Sequence, residues 1–253
     1  MKNKKVLAIV QARLSSTRLP RKVLKKINNV PIIQHIFNRL LLCSEIDELV
    51  LATSNNSSDD DLEKWAHDSS VNIYRGSLDD VLDRYYMAAL KFNADVIVRI
   101  TGDCPLVDPN IVDQTVNLFF SEKSDLFSVG PDYPDGLDCQ VISFQALRKA
   151  WKEAKLRSER EHVCPYIEKN PKKFKLGSFN VFSDYKNYRL TLDQDEDFKL
   201  IEAIYNNLGN KSSYFSTIDV INFLIRNPKL ANLNSKIIRN EGYIKSVKSD
   251  YSV

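Results

Sequence analysis

Three short apolar runs, separated by segments of helical periodicity, constrain this chain more than any other feature. They are Val6-Leu7-Ala8-Ile9-Val10, residues 48–53 and residues 95–100. Each has the length and near-continuous apolarity of a buried strand. Between them, Ile32, Ile33, Ile36, Phe37, Leu40 and Leu41 recur at helical spacing behind Pro31. Residues 59–66 predict a helix with acids in its first turn, 72–74 a brief strand, and 78–92 a further helix. This βαβαβ order predicts an α/β fold with a mostly parallel sheet covered by helices on both faces. The second half changes character. Strands are expected at 125–129, 137–143, 174–181 and 188–192, and helices at 144–153, 158–169, 196–207 and 217–225. They make a small lobe inserted into one domain spanning 1–226, with 227–253 as a polar C-terminal tail.

The end of the first strand carries the chemistry. Gln11 to Lys22 reads Gln-Ala-Arg-Leu-Ser-Ser-Thr-Arg-Leu-Pro-Arg-Lys, with hydroxyls set between cations and no glycine. Open α/β sheets bind ligands beyond strand C-termini, and backbone N–H groups with cationic side chains suit phosphate oxygens there. The loop is not a Walker A sequence, nor is it the Gly-x-Gly-x-x-Gly of a dinucleotide fold. Asp103 closes the strand at 95–100 and is either a strand-end cap or a metal ligand. Asp193 follows the expected strand at 188–192, whereas Asp195, Glu196 and Asp197 read as helix N-cap and first-turn acids.

A net charge of +3 in 253 residues is too small for a nucleic-acid binder. The four cysteines form no Cys-x-x-Cys pair and histidines number three, which argues against zinc and for a reducing compartment. The apolar run behind Lys5 is too short for a leader peptide, and no stretch has transmembrane length. The expectation is a soluble, cytoplasmic protein.

Ala12-Arg13-x-x-Ser16-Thr17-Arg18-Leu19-Pro20-x-Lys22 resembles the signature of the cytidylyltransferases that activate acidic sugars, among them the CMP-3-deoxyoctulosonate synthetases. It is closer to the spore-coat polysaccharide family called SpsF. Thr101-Gly102-Asp103-Cys104-Pro105-Leu106 resembles the Gln-Gly-Asp-Glu-Pro-Leu of the former, departing at Thr101 and Cys104. Leu190-Thr191-Leu192-Asp193 is similar to their Leu-Thr-Val-Asp. Pro134-Asp135-Gly136-Leu137-Asp138-Cys139-Gln140 is similar to the SpsF pattern Pro-Asp-Gly-Leu-Asp-x-Glu, with Gln140 in place of glutamate. Residues 159–167, Glu-Arg-Glu-His-Val-Cys-Pro-Tyr-Ile, follow that family's pattern closely.

The resemblance implies a single Rossmann-like nucleotidyltransferase domain of the glycosyltransferase-A-like class. It implies Mg²⁺-dependent transfer of CMP from CTP to a sugar, sugar acid or sugar-like acceptor, with pyrophosphate leaving. Asp103 and Asp193 would then hold the metal, with Arg13 and Lys22 on the β- and γ-phosphates and Arg18 beside them. Gln11, Ala12, Ser15, Ser16 and Thr53 would approach the nucleotide. Arg75-Gly76 would hold its base, unless Arg75 is a surface ion-pair partner of Asp79 or Asp80. Asp135, Gly136, Asp138, Gln140, Glu159, Arg160, His162 and Arg189 would line the acceptor pocket. A charged helix start would give the 157–167 segment the same composition. Two other readings stay open: a nucleotide-sugar glycosyltransferase using Asp193-Gln194-Asp195, and a silent nucleotide-binding subunit. A homodimer through the tail is also open.

Overall fold

The computed structural model describes residues 4–209 and 214–252. β1 (Val6–Gln11) leads through the basic loop to a small hairpin, β2 (Lys26–Ile27) and β3 (Val30–Pro31). Asn28 and Asn29 turn it with φ of 52° and 63°, a left-handed conformation that asparagine tolerates. Then follow α1 (Ile32–Leu40), β4 (Glu48–Ser54), α2 (Asp60–Asp68), β5 (Asn72–Gly76), α3 (Val81–Lys91) and β6 (Val96–Thr101). The second half holds α4 (Pro109–Glu122), β7 (Leu126–Val129), β8 (Gln140–Ser143), α5 (Phe144–Glu153), α6 (Arg157–His162), α7 (Pro165–Glu168) and β9 (Leu176–Phe179). α8 (Asp195–Ile204), α9 (Thr217–Arg226), α10 (Pro228–Ala231) and α11 (Glu241–Lys248) complete the chain.

The main sheet has seven strands in the order β5-β4-β1-β6-β8-β7-β9, with β8 alone running against the rest. The chain passes from β1 outward to β4 and β5, then crosses back to place β6 on the other side of β1. That reversal opens a crevice at the C-terminal ends of β1 and β6, where such sheets bind ligands. Alternate residues of the central strands face opposite ways. Val6, Ala8, Val10, Val96, Val98 and Ile100 pack with α1, α4, α8 and α9. Leu7, Ile9 and Ile97 pack with α3, α5 and Ile167 of α7. Each fully buried Leu, Ile or Val contributes about 1.5–3 kcal/mol, so both helical layers are held by the sheet.

Two expectations are corrected, and one element is added. Residues 188–192 form no strand: Arg189 makes an isolated bridge to Asp135, and the remaining polar groups bond elsewhere. Residues 158–169 break into α6 and α7, because Val163 takes φ 71° and Pro165 starts a new helix at its first turn. α4, capped by Asp108 and started by Pro109, occupies a stretch to which no element had been given.

Candidate active site

The crevice is built from tight backbone approaches. Gly102 N–H donates to Gln11 O at 2.7 Å. A Cβ there would lie 3.0 Å from both Gln11 O and the Ala12 methyl, so a larger residue would push the ends of β1 and β6 apart by a few tenths of an ångström. Asp103 follows at once. Its backbone carbonyl accepts from Leu192 N–H at 2.8 Å and from the Thr191 hydroxyl at 3.1 Å. Those bonds, rather than a strand, deliver Asp193 beside Asp103.

The loop after β1 is pinned by a buried carboxylate. Asp59 accepts from Leu14 N–H at 2.7 Å, from the Thr53 hydroxyl at 3.0 Å and from Ser54 N–H at 3.2 Å. Arg21 closes the loop, donating from its N–H to Leu14 O at 3.2 Å with a left-handed φ of 57°. Lys22 then points inward. Its Nζ donates to Asp193 Oδ1 at 2.6 Å, Leu192 O at 2.8 Å and Asp103 Oδ2 at 3.3 Å. Arg18 reaches the other oxygen of Asp193 at 3.0 Å.

Burial alone would lower the Lys22 pKa, but the two carboxylates outweigh it and hold the ammonium above its ordinary value. Burial pushes Asp103 up, and Lys22 with the Thr101 hydroxyl reverses this, leaving it below the usual carboxylate range. Behind Asp193 stands the fully buried Asp197. It accepts from the N–H groups of Asp193 and Gln194, both at 2.9 Å, from Arg189 through both oxygens, and from Asn234. Arg189 also donates to Asp135 at 2.8 Å. Gly136, at φ 99°, lies so close to the Leu190–Thr191 backbone that a Cβ would fall within 2.5 Å of it. Burial and the neighbouring charge of Asp138 push Asp135 up to about 6, against Arg239 and Arg189.

The cleft over these groups encloses about 530 Å³, a size typical of small-molecule sites. Among the residues named from sequence, Gln11, Ala12, Arg13, Ser15, Ser16, Arg18 and Lys22 line it from the loop. Asp103, Asp135, Asp138, His162, Arg189 and Asp193 line it from the other walls. Seven do not line it.

Thr53 serves Asp59. Arg75 pairs with Asp60 and Glu63 of α2, in place of Asp79 or Asp80, and Gly76 lies against Tyr74 and Arg84. Gly136 shapes the Asp135 turn. Gln140 joins Arg99 to Glu168, and Glu159 accepts the N–H groups of Lys155 and Leu156. Arg160 ties α6 to Asp80, which caps α3. Sequence reasoning missed Arg84, Arg99, Arg157 and the α11 residues Tyr243, Lys245 and Ser246, which also line the cleft. Arg99 had a signal: a lone cation inside an apolar strand. The polar tail had none.

Among the described residues no three His, Cys, Asp or Glu side chains converge as a metal cage. Asp103 and Asp193 converge as a pair of hard oxygen donors within reach of one ammonium. This fits Mg²⁺, which keeps several waters and takes one or two carboxylates plus phosphate oxygens.

The cytidylyltransferase family model matches residues 7–219, from the first strand into α9. The chain belongs to this family. The cytidylyltransferase is 37% identical to an uncharacterized protein of Methanocaldococcus jannaschii, over 94% of this chain and 98% of that one. It is 32% identical to the spore coat polysaccharide biosynthesis protein SpsF of Bacillus subtilis, over 89% and 96% of the two chains. A solved cytidylyltransferase from Leptospira borgpetersenii superposes with a TM-score of 0.85 at 34% identity, covering 90% of this chain and 97% of that one. A CMP-2-keto-3-deoxy-manno-octonic acid synthetase shares the fold, at a TM-score of 0.60, 16% identity and coverage of 80% and 98%. Among the described residues, the cytidylyltransferase has no helix long and apolar enough to cross a membrane.

Proposed function

We propose that this cytidylyltransferase transfers CMP from CTP to an oxygen of a sugar or sugar-like acceptor, in surface polysaccharide or glycan biosynthesis, with Mg²⁺ held by Asp103 and Asp193. The observation that carries the reading is the meeting of these two carboxylates on Lys22 Nζ, at 3.3 and 2.6 Å, beneath a basic loop at the point where the sheet reverses. The likeness to SpsF supports the pathway class.

In the reaction, an acceptor oxygen forms a bond to the α-phosphorus while its hydroxyl proton passes to solvent water, the bond from the α-phosphorus to the bridging oxygen breaks, and pyrophosphate leaves with that bond's electron pair. Bound Mg²⁺ would supply charge neutralisation at the phosphate oxygens. Arg13 and Arg18 lie on the loop over the site and hold the departing phosphates by charge-assisted hydrogen bonds. Lys22 stays protonated across the neutral range, so it donates to oxygen and does not remove protons. Asp197 and Asp59 fix the segments that carry Asp193 and the loop, so the site is positioned before substrate arrives.

Thermal shift with CTP, UTP, GTP and ATP, each with and without Mg²⁺, tests this on wild type and Asp103→Ala. A ligand that binds only the native state raises its apparent stability. The expected result is a CTP-selective shift, enlarged by Mg²⁺, with the Mg²⁺ increment absent in the variant. A shift with nucleotide-sugars and none with triphosphates would overturn the reading.

A further inference from the structure

The chain beyond residue 219, where the family match ends, reaches into the site at two points. The first is Asn234. α10 ends at Ala231, and a turn follows in which Ile237 N–H donates to Asn234 O at 3.0 Å. The Asn234 side chain points inward, with only 1% of the residue exposed. Its amide nitrogen donates twice, to Asp197 Oδ1 at 2.8 Å and to Arg189 O at 2.9 Å. Its own Oδ1 is buried and has no hydrogen-bond partner among the described residues. Buried polar atoms are almost always paired, so one atom is left orphaned here while both donors are used. Turned over, the amide would set its oxygen against the Asp197 carboxylate, which fixes its orientation by charge.

The second point is Arg239. It donates to Tyr133 O at 2.8 Å, lies over the Tyr133 ring at 4.4 Å and approaches Asp135 Oδ1 at 3.7 Å. Asp135 and Asp197 are the carboxylates that hold Arg189 most closely, at 2.8 and 2.9 Å. Asn234, Asp197, Arg189, Asp135 and Arg239 therefore form a chain of contacts whose two ends come from one short stretch of the tail. Asp193 hangs from its middle. Its N–H donates to Asp197 Oδ2 at 2.9 Å, and its carboxylate lies 3.7 Å from Arg189 Nη2. The two oxygens of Asp197 divide the work. Oδ2 accepts from the Asp193 and Gln194 N–H groups and from Arg189 Nη2, and Oδ1 accepts from Arg189 Nε and Asn234. Without Asn234, Oδ1 keeps one donor, and the carboxylate can turn and carry the Asp193 peptide with it.

We propose that Asn234 is a positioning residue of the metal site: through Asp197 and Arg189 it sets the angle at which Asp193 meets a divalent cation, which makes the tail a working part of the site. This rests on the reading that Asp193 is a metal ligand. Hydrogen-bond partners that orient a metal's ligands change its affinity by about 10–100-fold when they are lost.

In the test, the full chain saturated with CTP is titrated with Mn²⁺, a hard divalent probe. Bound ion is read from the relaxation of water protons, against a blank of CTP and Mn²⁺ alone. Asn234→Ala and Asn234→Leu both remove the two donors, one leaving space and the other filling it. Each should weaken Mn²⁺ binding about tenfold, while CTP affinity without metal, read by thermal shift, changes far less. Hydrogen exchange at the Asp193 and Gln194 amides should quicken in both, with the Gly102 amide keeping its protection. Leu230→Ala, which loosens α10 where it packs on the core, is the control for a merely structural role. It should lower the melting temperature and keep the Mn²⁺ affinity. An unchanged Mn²⁺ affinity in Asn234→Ala, or an equal loss in Leu230→Ala, would overturn the proposal; if Asn234→Leu does not fold, the alanine variant decides alone. Mn²⁺ bound equally well by Asp193→Ala would fail the metal reading separately. The exchange at Asp193 and Gln194 then still decides whether Asn234 sets that segment, and unchanged exchange would overturn the proposal.

Discussion

Asp135 shows how far a single buried residue departs from what its position in the sequence suggests. The sequence placed it in an acceptor pocket through a Pro-Asp-Gly turn, and the structure does put it in the cleft wall. What sequence could not show is that Asp138 lies near enough to oppose its ionisation. Two arginines do not fully compensate, and its pKa rises to about 6. The folded value is above the unfolded one of about 4, so the native state binds more protons between those values and loses stability as pH rises through the window. Asp135→Asn should therefore match wild type in thermal stability near pH 4. It should become the more stable of the two by up to about 2 kcal/mol above pH 6. Melting curves across pH check this, and a parallel pH dependence in both proteins would refute it. Lys22 and Asp103 behave in the opposite sense. Each is shifted toward its charged form, so their mutual stabilisation holds through the neutral range and fades only toward the acidic and alkaline extremes.

At the scale of elements, legibility followed burial pattern. β1, β4 and β6 are apolar runs with one solution, and all three form where expected. Residues 188–192 instead alternate apolar and polar side chains, as a half-buried strand does, yet no strand forms. Their N–H groups go to Asp135 and Asp103 carbonyls at two separate places, a tertiary arrangement that no local pattern encodes. α4 was legible and passed over: Asp108-Pro109 is a capping signal, and Ile111, Val112, Thr115, Val116 and Phe119 follow at helical spacing. The basic loop owes its shape to Asp59, just before α2, whose place in the sequence predicts only a first-turn acid. Asp59→Ala would strand the Leu14 and Ser54 N–H groups and the Thr53 hydroxyl without an acceptor. The expected cost is about 2–4 kcal/mol of stability, with a rise in the KM for nucleotide and a smaller change in kcat. Denaturant titration and steady-state kinetics would measure both, and a stability loss with an unchanged KM would separate the pin from the loop.

For the whole molecule, the reversal of strand order between β1 and β6 decides where the cleft opens, and the alternation of strands and helices was sufficient to anticipate the fold class. The last wall of the cleft was not legible. α11 reads as a polar tail, because its inward face meets a cleft lined by charged side chains and the α6 surface in place of an apolar core. The site therefore gathers the loop after β1, the turn after β6, the segment before α8 and the C-terminal helix. Hydrogen exchange should report this as one event. On adding CTP with Mg²⁺, protection should rise together in residues 12–22, 102–104 and 190–194, and protection confined to the loop would contradict a shared site.

The hydrogen bond from Lys22 to Asp193 joins groups 171 positions apart in the chain. During synthesis the basic loop is made early, and Asp193 only long after it. A nascent or prematurely ended chain therefore has a basic loop with no paired acids opposite it. On the proposed reading, a copy truncated before Asp193 keeps the basic loop and loses one of the two carboxylates, and should show no turnover.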